Sequence, residues 1–267
     1  MPYAPANDLN MYYEVHGEGP PLILLHGAYM TAEMMGPLTS GLAETRQVFV
    51  PELQAHGRTA DVDRPLSYEQ MADDTAALMG QLELEQADVV GYSMGGGAAL
   101  QLAIRHPALL RRLVIISAGF RYDAMPPEAI AMFPSITPEM FAGSPMETEY
   151  QRLAPNPEDF PKLVEKLKTL DTTDFAWPDE DIRAIAAPTL IVLGDSDGVR
   201  LEHAVELFKL RGGGVMGDLS GLPESQLAVL PGTTHFVPPG FGILDRAEWL
   251  RAMIPPFLDP PPPPPAG

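Results

Sequence analysis

The sequence predicts an α/β fold, a mostly parallel sheet covered by helices on both faces. Three observations carry this prediction. Short apolar runs that read as strands alternate with longer amphipathic or Ala/Leu-rich stretches that read as helices. Two of the runs, residues 22–25 and 113–116, are continuously apolar, as strands buried on both faces are. Four runs end in residues able to do chemistry, and in such sheets ligands gather at the carboxyl ends of the strands.

The elements follow in order. Residues 11–15 alternate and read as a strand, followed by a turn at residues 16–21. The strand 22–25 ends at His26-Gly27-Ala28-Tyr29. Residues 31–43 read as a helix broken at Gly36-Pro37. Residues 47–50 form a strand that runs into Ala55-His56-Gly57-Arg58. Ser67 is placed to N-cap a helix whose face carries Met71, Leu78 and Leu82. Residues 87–90 form a strand, and residues 94–105 form a helix stopped at His106-Pro107. Then comes the strand 113–116.

The alternation stops for residues 119–187, which are rich in Pro, Met and Phe and carry a helix at residues 161–170. This stretch is too long for an ordinary loop and predicts a lid or cap. The alternation resumes with a strand at 189–193, ending in Gly194-Asp195-Ser196-Asp197. A helix at 201–210, a glycine-rich turn at 211–217 and a strand at 226–230 lead to Pro231-Gly232-Thr233-Thr234-His235. A final helix spans 244–254. The predicted division is a core of residues 1–118 and 188–258, an insertion of residues 119–187, and a proline-rich tail of residues 259–267. The tail is expected to be disordered or polyproline II.

Composition narrows the function. The 267 residues are 45% hydrophobic, enough for one large buried core. The formal net charge is −19, which repels phosphate backbones and anionic lipid, so a nucleic-acid partner is not expected. No apolar run is long enough for a membrane span, and the first residues lack the pattern of a signal peptide. The absence of cysteine removes disulfides, thiolate nucleophiles and zinc–thiolate sites, and the cytoplasm is the expected compartment.

The chemistry centres on Gly91-Tyr92-Ser93-Met94-Gly95, set between a strand and a helix. A strand-to-helix turn this sharp needs glycines on both sides of the serine, and it pushes the hydroxyl out above the sheet. A serine hydroxyl needs a base, and the base needs an orienting acid. Five of the six histidines have plain readings. His16 is a solvated turn residue, His26 braces its loop, His56 sits in a loop within reach of the site, His106 ends a helix, and His203 lies on a surface helix. His235 follows the last strand, so Ser93, an acid and His235 fall in the order Ser, acid, His. Asp195 and Asp197 compete for the acid, with turn formation as the alternative reading of each. Asp195-Ser196-Asp197-Gly198 lacks the later acidic positions of a calcium loop, so no metal is expected.

These residues resemble the α/β-hydrolase family. Gly91–Gly96 looks like its nucleophile elbow and Leu25-His26-Gly27-Ala28 like its oxyanion loop. Gly194–Asp197 looks like its acid turn and Gly232–His235 like its histidine loop. Glu52 stands where such chains commonly carry Asp, and Thr233-Thr234-His235 replaces the more frequent Ala-Gly-His. The resemblance implies an eight-stranded-type sheet with a helical lid inserted after the sixth strand. It implies Ser93 as nucleophile, His235 as base, Asp197 as the orienting acid, and the amides of Ala28 and Met94 as the oxyanion hole. His26, Gly27, Gly91 and Gly95 support them. The chemistry implied is serine-hydrolase cleavage of a small acyl ester or lactone, without a cofactor. Cofactor-free haloperoxidase or perhydrolase chemistry and carbon–carbon hydrolysis share the same triad, and a non-catalytic binding protein shares the fold. A homodimer stays open. Met125, Met132, Phe133, Met140, Phe141, Met146, Phe160, Phe175 and Trp177 are available in the insertion to pack the lid or line a pocket.

Overall fold

The computed structural model describes residues 2–260. The strands are β1 (Tyr3–Ala6), β2 (Leu9–His16), β3 (Pro21–Leu25), β4 (Gln47–Pro51), β5 (Ala87–Tyr92), β6 (Leu110–Ile116), β7 (Thr189–Ser196) and β8 (Gln226–Thr234). They form one eight-stranded sheet in the order β1-β2-β4-β3-β5-β6-β7-β8. β1–β2 and β2–β4 are antiparallel, and every pair from β4 onward is parallel. The helices are α1 (Gly36–Leu42), α2 (Tyr68–Gln81), α3 (Met94–Arg105), α4 (Pro127–Met132), α5 (Pro145–Leu153), α6 (Phe160–Thr172), α7 (Asp179–Ala184), α8 (Leu201–Leu210), α9 (Gly217–Ser220) and α10 (Ala247–Leu258).

The period of two along each strand divides the core. Ile23, Leu25, Val89, Leu113, Ile115, Ile191 and Leu193 face one side, with the apolar residues of α2, α3 and α8. Leu22, Leu24, Val48, Val90, Val114, Ile116, Leu190 and Val192 face the other, with α1 and α10. Both layers are needed, since neither face of the central strands meets water.

Several boundaries differ from the sequence reading for identifiable reasons. β1 lies before the first strand read from the sequence, residues 11–15. Proline is tolerated there because β1 is an edge strand. A 3-10 turn at Glu33–Met35 gives way to α1 at Gly36-Pro37, where the helix was expected to break, and proline's missing N–H costs nothing in the first turn of α1. α10 starts later than expected and runs through Pro255 and Pro256, its last turn held by the buried Phe257 and Leu258. Ser67 caps α2 as expected, accepting from the Gln70 amide at 3.1 Å. Asp259, assigned to the tail by sequence, is tied to the buried Arg46 at 2.7 Å. The tail expectation otherwise falls on residues 261–267, outside those described.

Residues 119–187 carry α4 to α7 between β6 and β7. Their two ends meet where Arg121 bridges Ala176 and the Trp177 amide donates to the Phe120 carbonyl at 3.1 Å. α6 is pinned to the loop after β4. Lys166 Nζ lies 2.7 Å from Asp61 and donates to the carbonyls of Val62 and Arg64 at 2.9 and 2.7 Å.

Strand and helix approach closely at the β5–α3 turn. A Cβ on Gly91 would stand 2.2 Å from the Gly95 carbonyl oxygen, and one on Gly95 would stand 2.5 Å from that of Leu25. Backbone atoms cannot swing aside as a long side chain can. Gly95→Ala is therefore expected to destabilise the protein by about 3 kcal/mol, which lowers the thermal midpoint by about 6–12 °C in a chain of this size. Calorimetry of the variant checks this, and an unchanged midpoint would contradict it.

Candidate active site

Ser93 stands at the turn between β5 and α3 with φ 53° and ψ −119°, a backbone conformation that a residue with a side chain rarely adopts. The Ser93 amide donates to the Ile116 carbonyl, and its carbonyl accepts from the Gly96 and Gly97 amides. The strained turn is thus tied both to the neighbouring strand and to the helix it starts. The hydroxyl faces His235, which follows β8, with Ser93 Oγ 2.9 Å from His235 Nε2. His235 Nδ1 lies 2.9 Å from Asp197 Oδ1. This pattern suits the tautomer that donates from Nδ1 and accepts the serine proton at Nε2.

Asp197, just beyond β7, is fully buried on its side chain. Burial works against its charge. Hydrogen bonds from His235, Ser117 and the Gly194 amide nonetheless hold its carboxyl below the usual range. Ser117 Oγ donates at 2.6 Å, the Gly194 amide at 3.0 Å and the Val199 amide at 3.2 Å. Asp195 takes a different place. It accepts from the amides of Gly232 and Thr233 at 2.9 and 3.2 Å, shaping the loop that carries His235. The two carboxylates are therefore distinct: one faces the imidazole and the other builds its loop.

Ala28 and Met94 line the same cavity as Ser93 and His235. Their amides have no acceptor among the described residues, Met94 being the first residue of α3. Amides at a helix N-terminus and in a loop, left without acceptors beside the same cavity, favour negative charge there. Gly27 lets the loop pass the Tyr92 ring, which a Cβ would approach to 2.9 Å. The Met94 side chain is buried and forms part of the cavity wall.

His26 and His56 fix that loop from below. His26 Nε2 accepts from the Leu53 amide at 3.0 Å, and its Nδ1 lies 2.8 Å from the Gly27 carbonyl. His56 Nε2 accepts from the Tyr29 amide at 3.2 Å, and its Nδ1 lies 2.9 Å from the Gln54 carbonyl. Burial lowers His26 to about 4 and His56 to about 3, so both are neutral acceptors at ordinary pH. His56 is thus a brace under the loop, with both ring nitrogens engaged by backbone. Glu52 is buried beside them and accepts from the Ala32 amide at 3.2 Å, from the Arg58 amide and from the Arg58 side chain. His203, read as a surface residue, is buried on the inner side of α8 and accepts from the Phe120 amide at 3.2 Å. His106 pairs with Asp73 at 2.7 Å and His16 with Glu14 at 2.9 Å, both away from the cavity lining.

The cavity measures about 320 Å³. Of the nine apolar residues noted in the insertion, Met125, Met132, Phe133 and Phe175 line it. Phe160 and Trp177 are buried in the core, and Phe141 packs on Tyr29 with ring centroids 4.6 Å apart. Arg121 also lines the cavity, but its guanidinium is engaged by Glu206 at 2.6 and 2.8 Å and by Asp123 at 3.2 Å.

The α/β-hydrolase family profile matches residues 22–263. The chain belongs to the α/β-hydrolase family. A protein of Azorhizobium caulinodans named for carbamate hydrolysis is 34% identical over 123 residues, a match that spans 46% of each chain. A 2-hydroxymuconate semialdehyde hydrolase of Pseudomonas putida is 30% identical over 204 residues, 68% of this chain and 72% of that one. Among solved structures, Est816, described as an N-acyl homoserine lactone degrading enzyme, superposes with a TM-score of 0.70 at 26% identity. That match covers 94% of this chain and 100% of that one.

Ser117, Tyr68 and Asp171 are among the cavity or site residues that escaped the sequence reading. Ser117 follows β6 at its carboxyl end with φ 53°, and its only signal was a polar residue at that position. Tyr68 and Asp171 line the cavity from α2 and α6. Asp171 had a signal: it lies seven residues after Val164 and four after Leu167, both buried, so it continues the inward face of α6.

The buried histidines set an acid limit on stability. Folding depresses their proton affinity below the ordinary 6.5, to about 4 for His26 and His203 and about 3 for His56. Below pH 6.5 the unfolded chain therefore binds more protons than the folded one, and stability falls with pH down to about 4. Each fully differential histidine steepens that fall by about 1.4 kcal/mol per pH unit. In chemical denaturation between pH 4 and 6.5, His56→Gln is expected to flatten the slope by close to one proton relative to wild type. An unchanged slope would contradict a neutral His56 in the folded state.

Proposed function

We propose that this α/β-hydrolase is a serine hydrolase that cleaves a carboxylic ester through an acyl-enzyme on Ser93. The observation that carries the reading is the continuous relay from Ser93 Oγ to His235 to Asp197, at 2.9 and 2.9 Å, opening on a cavity shared with the Ala28 and Met94 amides.

The chemistry follows from the geometry. His235 Nε2 takes the Ser93 proton as Oγ attacks the acyl carbon. The Ala28 and Met94 amides hold the oxygen that becomes negative. When the tetrahedral species collapses, His235 passes the proton to the departing alkoxide, and the acyl group stays on Ser93. A water molecule then repeats the sequence and frees the acid. Asp197 keeps His235 in the required tautomer and stabilises its cationic form. Losing one oxyanion donor typically costs about 3 kcal/mol of transition-state stabilisation.

The cavity supports a neutral ester. Its walls are largely apolar, and the one cation among its lining residues, Arg121, is already engaged by carboxylates. A muconate-type substrate carries a carboxylate and would find no unengaged cation in that lining. A lactone is a cyclic ester and passes through the same steps, in keeping with the likeness to Est816. Residues 119–187 act as the lid over residues 1–118 and 188–258, supplying the apolar wall that selects the acyl or alcohol part.

A fluorophosphonate probe is expected to label Ser93, and Ser93→Ala to abolish both labelling and p-nitrophenyl ester turnover. Labelling that survives the substitution would sink the assignment. Asp197→Asn is expected to lower kcat by about four orders of magnitude. Asp195→Asn, at a residue that shapes the histidine loop without touching the imidazole, should cost less than about ten-fold, the equivalent of about one hydrogen bond. The reverse ranking would move the acid to Asp195.

A further inference from the structure

The cavity holds a carboxyl group that ester cleavage does not use. Asp171 projects from α6 into the space lined also by Ser93, His235 and Tyr68. Helical spacing places it there: Val164 and Leu167 on the same face are buried in the core. An apolar side chain would continue that face.

No protein group among the described residues donates to the Asp171 carboxyl. The lysines of α6 and the cavity arginine pair with other carboxylates. Lys166 and Lys162 bind Asp61, Lys168 pairs with Glu165, and Arg121 binds Glu206 and Asp123. The neighbouring wall is Met125, Met132, Phe133 and Phe175. The Asp171 side chain is half-buried and opens on the cavity, so its carboxyl oxygens are available to a bound substrate. Burial pushes it up to about 6, so it is largely ionised at neutral pH. The groups that share its field are His235 after β8, Tyr29 after β3, Tyr68 on α2 and Tyr122 after β6. None of them carries a fixed positive charge.

We infer that Asp171 is the specificity-determining acceptor of this site, taking a hydrogen bond from an amide N–H of a neutral ester substrate whose apolar body lies against the methionines and phenylalanines of the insertion. The inference rests on the ester-hydrolase reading. It also excludes acyl groups that end in a carboxylate, which Asp171 would repel.

The test uses matched p-nitrophenyl esters. One set carries N-hexanoyl glycine, N-hexanoyl β-alanine and N-hexanoyl 4-aminobutyrate. The other replaces the N–H of each by CH₂, giving keto esters of equal length. Wild-type enzyme is expected to favour at least one amide ester over its keto partner by about ten-fold or more in kcat/KM, the size of a hydrogen bond to a charged acceptor. Asp171→Leu should bring that ratio close to one, chiefly through KM. Asp171→Asn is near-isosteric and serves if the leucine variant does not fold; it should lose about three-fold or more of the preference, because its acceptor is uncharged. In wild type the ratio should also fall as pH drops through about 6, where Asp171 takes up a proton. Taking the ratio cancels whatever titrates identically for both esters.

Fluorophosphonate labelling of Ser93 in each variant separates the two levels of the argument. A wild-type enzyme that labels and turns over esters but shows no amide preference overturns the role of Asp171 alone. So does a preference that survives Asp171→Leu in a labelled variant. An enzyme that neither labels nor hydrolyses any ester overturns the ester reading, and with it this inference.

Discussion

The constraint on which the rest depends is the turn at Ser93. A serine held at φ 53° and ψ −119° is costly, and it persists only because its surroundings over-determine it. Its amide is tied to β6, its carbonyl to the first amides of α3, and glycines at 91 and 95 let strand and helix come within van der Waals contact. The parallel sheet is what makes this possible. β3, β5, β7 and β8 run the same way, so their carboxyl ends bring Ala28, Ser93, Asp197 and His235 to one edge. Residues as far apart as Ser93 and His235 meet at 2.9 Å because register sets their heights.

Around that turn the structure separates groups by environment. The Asp197 carboxylate is buried but held charged by three donors from the protein besides His235. His26 and His56 are buried, and burial keeps them neutral, which suits them to accept from backbone amides and unsuits them to act as bases. His235 alone among the six histidines joins a hydroxyl to a carboxylate. Asp171 is the opposite case to Asp197. It is a carboxyl in an apolar wall with no donor among the described residues, and burial raises it.

The alternation of strands and helices and the order of the motifs were legible in the sequence because both follow from local rules. Continuous apolar runs meant strands buried on two faces, and the Ser67 cap and the 201–210 helix followed from side-chain chemistry and period. β1 was hidden because an edge strand tolerates the proline that would forbid an interior one. His203 was misplaced because burial depends on which neighbour a helix packs against, and a single imidazole carries no sign of that. Asp195 and Asp197 were indistinguishable as residue types. They part only when β7 and β8 are paired, which puts one beneath the histidine loop and the other beside the ring. The insertion was least legible, since its contacts with the core run through single side chains such as Lys166 on Asp61.

The central claim is that Ser93 carries the acyl group during turnover. Acid quenching of the enzyme during hydrolysis of a p-nitrophenyl ester, followed by peptide mass mapping, tests it most directly. The account predicts a mass increase equal to the acyl group on the peptide containing Ser93, enriched when deacylation is slowed. Steady turnover with no acyl mass on Ser93, or the acyl mass on another residue, would contradict it.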